Sequence, residues 1–202
     1  MTILDAEKRL GFRIDGLKGT PVAKMLANEK DNFDGEGGDA ILRTKEEVYD
    51  NIIKYLDIER YPKEANPSFK EANISDLVYA IISPIIFEFR CRTGRKEIRL
   101  EREKEIISTD EETGGQEEFV VVDRISVTEE RFVIIIEGKE STTGEVLKQC
   151  LLALKDVKDV SSGEAVYGFI TTGEPWRMLR YDGTFQMTNK MEVLFEGEFS
   201  SG

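Results

Sequence analysis

The chain of 202 residues contains no histidine. That absence excludes serine–histidine triads, imidazole general bases and histidine-ligated zinc, leaving carboxylate, amine and thiol chemistry. Cysteine is scarce: Cys91 and Cys150 stand far apart without metal-ligand spacing, and read as free thiols in a reducing compartment. Long unbroken apolar runs are lacking too, none approaching the roughly 20 residues that span a bilayer. The first ten residues, interrupted by Asp5, Glu7, Lys8 and Arg9, lack the apolar core of a secretory signal. An intracellular setting, cytoplasm or nucleus, with no membrane partner is therefore expected. Positive charge is in deficit: 28 Lys and Arg against 40 Asp and Glu give a formal net charge of −12.

Such acidity argues against indiscriminate nucleic-acid binding, because Lys and Arg contacts to phosphate supply most of that affinity. The charge is uneven, however. Between Arg90 and Lys104 seven bases (Arg90, Arg92, Arg95, Lys96, Arg99, Arg102, Lys104) stand against three acids. Arg92, Arg95 and Lys96 fall in the link ahead of a β-rich run and form a candidate phosphate-facing patch. The competing reading is a solvated loop and a charged strand face. The acid excess lies elsewhere, over 29–39, at Asp110, Glu111 and Glu112, and at Glu117 and Glu118, and offers a surface for a basic protein partner.

What the chain does have is a soluble globular balance, with 40% apolar and 34% charged residues. Its length suffices for one sizeable core and an appended segment. The most informative stretch is 131–139, where five apolar residues, Phe132 to Ile136, precede Glu137, Gly138 and Lys139. An uninterrupted apolar run of this kind reads as a strand buried on both faces. Glu137 and Lys139 then project from the same face, about 7 Å apart along the strand. Upstream, 119–127 is a second β-rich run containing Asp123, and the polar connection between the two runs suggests an antiparallel hairpin. An odd-length loop centred on Glu130 sets Asp123 opposite Glu137, with Val120, Val122, Ile134 and Ile136 on one face. Facing carboxylates repel unless a hard divalent cation lies between them. A two-residue turn instead sets Asp123 opposite Ile136, and no glycine marks the turn to decide between the two.

Residues 74–171, with Asp123, then Glu137-x-Lys139, then a helical pattern, resemble the PD-(D/E)XK, or restriction-endonuclease-like, nucleases. The sequence departs from that pattern just before the motif Asp, where Val122 replaces the usual proline. The resemblance implies an α/β fold with an αβββαβ core: a helix at 74–90, strands at 97–107, 119–127 and 132–139, a helix at 144–157 and a strand at 165–171. The sheet is expected to be mixed and flanked by helices. A more distant similarity links the chain to fungal Crinkler-type effector proteins that carry such a domain.

The same resemblance implies a metal-dependent phosphodiesterase acting on nucleic acid, DNA ahead of RNA. Asp123 and Glu137 are implied to hold Mg²⁺ or Mn²⁺. Lys139 is implied to orient or deprotonate the attacking water or to neutralise the attacked phosphate. Gln149 is implied to steady the water or metal site, and a further carboxylate comes from the first helix, Asp76 or Glu88. The rival reading is a catalytically inactive nuclease-fold module that binds protein or nucleic acid, effector-like, because a fold does not fix a function.

Around this core, residues 1–70 read as a helical or irregular extension and linker, and 71–202 as the nuclease-like domain. A helix is expected over 44–57, opened by a Thr44–Glu47 capping box, and a proline-bounded linker follows at 61–67. Pro84 is expected to kink the 74–90 helix or to start a second one. The helix after the motif is expected to open on Thr142 and Glu145, and to bury Val146, Leu147, Cys150, Leu151 and Leu154. Near the C-terminus, 176–181 and 184–187 flank Asp182-Gly183 and predict a hairpin that extends one edge of the sheet.

Overall fold

Strands apolar on both faces need cover on both sides, and the computed structural model supplies it with helices above and below one mixed sheet. The structure describes residues 1–27, 36–59, 70–107, 114–124, 130–138, 144–160, 165–173 and 175–192. In chain order they form α1 (Ile3–Leu10), β1 (Gly19–Thr20), α2 (Val22–Met25), α3 (Glu36–Glu59), α4 (Glu71–Thr93), β2 (Ile98–Ile107), β3 (Gly114–Arg124), β4 (Glu130–Gly138), α5 (Gly144–Val160), β5 (Val166–Thr171), β6 (Pro175–Tyr181), β7 (Phe185–Thr188) and β8 (Met191–Glu192). The sheet runs β1-β7-β6-β5-β4-β3-β2, with β8 also pairing β6. Neighbouring strands are antiparallel except at β4–β5 and β1–β7. The parallel step from β4 to β5 needs a crossover, and α5 provides it.

Two cores lie on opposite faces of the sheet. On one, α5 lays Val146, Cys150, Leu151, Leu154 and Val157 over Val120, Val122, Ile135, Val166 and Ile170. On the other, Ile74 and Val78 of α4 cover Phe119, Ile136 and Trp176. Each fully buried Val or Leu of this kind stabilises by about 1.5–3 kcal/mol. A third, smaller core joins Ile52 and Leu56 of α3 to Leu77 of α4. The N-terminal segment shares the main core. Ile14 belongs to the α5-side cluster, β1 pairs β7, and α1 packs on α5. Arg9 meets the buried Asp156 at 2.6 Å, and Lys148 Nζ donates to the Met1 carbonyl at 3.0 Å.

Several sequence expectations change in detail. α3 begins well before Thr44, whose hydroxyl donates back to the Ala40 carbonyl at 2.9 Å inside the helix instead of capping its start. Pro84 neither ends nor divides α4, which runs through it. Proline deprives the carbonyl four residues earlier of its helical donor. That carbonyl, on Ala80, accepts from Asn51 Nδ2 of α3 at 3.4 Å. α4 is also long and apolar enough, by length and composition, to cross a membrane. Here it lies between the sheet and α3, with Ile85, Phe87 and Phe89 exposed. The C-terminal hairpin forms with a three-residue turn, Tyr181 pairing Phe185 and Gly183 taking a φ of +108° that suits glycine. Cys91 is exposed and Cys150 buried, both free. Thr142 of the expected second capping box lies outside the described residues.

Candidate functional site

The register of the β3–β4 hairpin decides which acids meet. Phe119 pairs Ile136, Val121 pairs Ile134, and beyond an irregularity at Val121/Val122, Asp123 pairs Arg131. Phe119 and Ile136 thereby share the α4 face, while Val120 and Ile135 share the α5 face. The Glu130-centred loop would have put Val120 and Ile136 on one face, and Asp123 against Glu137. Neither it nor the two-residue turn is adopted. Apolar packing excludes the Glu130-centred register: an odd slip exchanges the faces of a strand and would take each helix's partners away.

Glu137 ends the buried part of β4, between β3 and β5, and is 2% exposed. One step beyond the Phe119–Ile136 pair, the Glu118 amide donates to Glu137 Oε1 at 3.3 Å. Asp123 sits five residues further along β3, roughly 17 Å at strand rise. Its buried carboxylate pairs with the Arg95 guanidinium. A charge taken out of water needs such a partner. The structure therefore keeps Asp123 and Glu137 at opposite ends of the strand pair. Arg95 is correspondingly engaged with Asp123, while Lys96 stays exposed. Arg92 lines a groove of about 720 Å³ between α3 and α4 together with Glu88. All three bases of the expected patch lie by the α4–β2 link, at the Asp123 end.

A cleft of about 480 Å³ opens at the other end, lined by Glu71, Ala72, Ser75 and Asp76 of α4, Arg102 and Glu103 of β2, and Glu118 of β3. The Ser75 hydroxyl donates to the Glu118 carboxylate. Glu118 thus links two places: its amide holds Glu137, and its side chain reaches the first turns of α4. Arg102 is the one base among the lining residues. Its guanidinium lies 4.9 Å over the Tyr79 ring and 5.1 Å from the Phe119 ring centre, with Asp76 at 3.8 Å. Glu103 interrupts the β2–β3 ladder between the Arg102–Phe119 and Lys104–Glu117 pairs, with a φ of +51°. A non-glycine residue in that region costs on the order of 1–2 kcal/mol.

Of the two first-helix acids, Asp76 lines this cleft. Glu88 lies twelve residues along α4, about 18 Å away by helical rise. Gln149 is exposed on α5, between the buried Lys148 and Cys150, and is not among the cleft residues. Lys139 lies outside the described residues. Glu118, Ser75 and Arg102 are the residues that sequence reasoning missed. The available signal was Glu117-Glu118 directly ahead of the apolar run at 119–122, an acid pair that reads as surface charge until the register is known.

Among the described residues, no three carboxylate or thiol groups converge as a metal group. The pair Asp123 and Glu137 does not fit a shared cation, being separated along the strands and, at Asp123, already paired with Arg95. Glu118 and Glu137 offer oxygen donors of the kind a hard cation takes, but they meet through the Glu118 amide, and the Glu118 carboxylate accepts from Ser75 on the α4 side. The sequence matches no protein-family model and no curated protein, so what this arrangement can do is read from its own geometry.

Proposed function

We propose that the chain is a nuclease of the restriction-endonuclease-like class, with Glu118 in the role that the resemblance implies for Asp123. Element order supports the fold reading: α4, three antiparallel strands β2 to β4, the crossover helix α5, and β5 parallel to β4. The observation that carries the functional reading is Glu118, which lines an acidic cleft on α4 and holds the buried Glu137 through its backbone amide. Glu118 and Glu137 would hold the expected Mg²⁺ or Mn²⁺, which when bound would acidify a water and neutralise charge on the attacked phosphate.

The chain's own residues supply the rest. The buried setting of Glu137 fixes its carboxylate through the Glu118 amide. Arg102 places a positive charge among Glu71, Asp76, Glu103 and Glu118 in the cleft, where it would meet a phosphate. Lys139, two positions beyond Glu137, orients or deprotonates the water. One observation favours the second reading, a binding module without catalysis: Asp123 is occupied by Arg95. The test is cleavage of DNA and RNA, single- and double-stranded, by the purified chain with Mn²⁺. Glu137→Gln should lose at least about a hundredfold in rate, the scale of one electrostatic group. No cleavage of any substrate by the wild type would select the binding module.

A further inference from the structure

We infer that the cleft takes a single strand or an unpaired nucleotide, read by a Tyr79–Arg102 platform. This rests on the nuclease reading and names its substrate form. Glu71, Ala72, Ser75 and Asp76 line the cleft from one stripe of α4, and Tyr79 continues that stripe at the next turn. Tyr79 is 47% exposed. The guanidinium carbon of Arg102, which lines the cleft, lies 4.9 Å from the ring centre of Tyr79 beside it and 5.1 Å from that of the buried Phe119, within cation–π reach of both. Asp76, at 3.8 Å, is a loose partner whose side chain is 65% exposed. Such a pair is worth little in water and yields readily to a phosphate, which offers better acceptors.

The combination selects for form. An exposed aromatic ring beside a fixed cation binds a base by its π-face and the adjoining phosphate by charge. Bases inside a duplex have their faces covered by neighbours, and presenting one requires unstacking it. A cleft of about 480 Å³ matches a unit the size of a nucleotide.

The experiment is fluorescence anisotropy of the full chain with a labelled oligothymidylate and a labelled hairpin duplex, at low salt, in chelator and with Ca²⁺. The single strand should bind at least about tenfold more tightly. Tyr79→Leu should weaken it by about tenfold or more, the scale of losing one stacked base, and Tyr79→Phe should retain it. Arg102→Gln should weaken it and lower the salt slope by about one phosphate contact. Equal or tighter duplex binding, Tyr79→Leu within twofold of wild type while folded, or no single-strand binding in either buffer overturns the platform. Glu137-dependent cleavage with Mn²⁺ is scored separately, so the platform can fail while the nuclease reading stands.

Discussion

The backbone amide of Glu118 donates to the carboxylate of Glu137 at 3.3 Å across the β3–β4 hairpin. A hydrogen bond to a charged group contributes about 1.5–3 kcal/mol and here offsets part of the cost of burying Glu137. The carboxylate of Glu118 is meanwhile held by Ser75 of α4. One residue therefore couples the end of the central strand to the helix that walls the cleft. A change of register in the hairpin would break the link to Glu137.

Asn51 and Pro84 should be energetically coupled without touching. Asn51 Nδ2 serves the Ala80 carbonyl that Pro84 leaves without a helical donor. In the wild type, Asn51→Ala should cost about 1 kcal/mol. In a Pro84→Ala background, where the helix supplies the donor, it should cost clearly less. Urea unfolding of the four proteins gives the coupling, expected above about 0.5 kcal/mol. Additive effects would show that Ala80 is satisfied in some other way.

The helix α1 is fastened by a buried ion pair. Side chains of Arg9 and Asp156 are 15% and 4% exposed, 2.6 Å apart. Arg9→Met removes the guanidinium from a buried carboxylate and should destabilise by about 1.5–3 kcal/mol, the scale of a hydrogen bond to a charged group. Replacing both, as Arg9→Met with Asp156→Leu, should recover part of that loss, since the buried carboxylate is gone as well. Thermal melts at fixed pH measure both. A double variant no better than the single would place the stabilisation in geometry rather than in charge.

Alkaline stability should report on Tyr55. Burial, then the charges of Glu59 and Asp76, push its phenol up to about 12 from an ordinary 10. The hydroxyl donates to the Asn73 carbonyl at 2.7 Å, joining α3 to α4. A folded value above the unfolded one means that the contribution is intact below pH 10. It is lost as pH rises through about 12. The difference in unfolding free energy between wild type and Tyr55→Phe should shrink over that window. A constant difference would contradict the shift.

Much of this architecture is legible in the sequence, because periodicity and apolar runs encode it locally. The apolar run at 132–136 gives a central strand, the stripe Val146–Cys150–Leu151–Leu154 gives α5 its buried face, and Asp182-Gly183 gives a hairpin. The pairing of acids is not local. It depends on hairpin register, and a turn without glycine leaves register to tertiary packing. The same holds for Pro84, whose helix continues because a side chain 33 positions earlier in the chain takes over one carbonyl. By order alone Asp123 stands where a catalytic acid is expected before Glu137 and Lys139, and Arg95 where a phosphate contact is; that the two side chains pair with each other is set by tertiary packing.

The most direct measurement compares Glu118→Gln with Asp123→Asn in Mn²⁺-dependent cleavage by the purified full chain, at a temperature where circular dichroism shows both folded. Glu118→Gln should lose at least about a hundredfold in rate. Asp123→Asn should stay within a few-fold of wild type while melting earlier, because it weakens the charge-assisted contact with Arg95. Activity retained in Glu118→Gln and abolished in Asp123→Asn would contradict the account and return the motif role to Asp123.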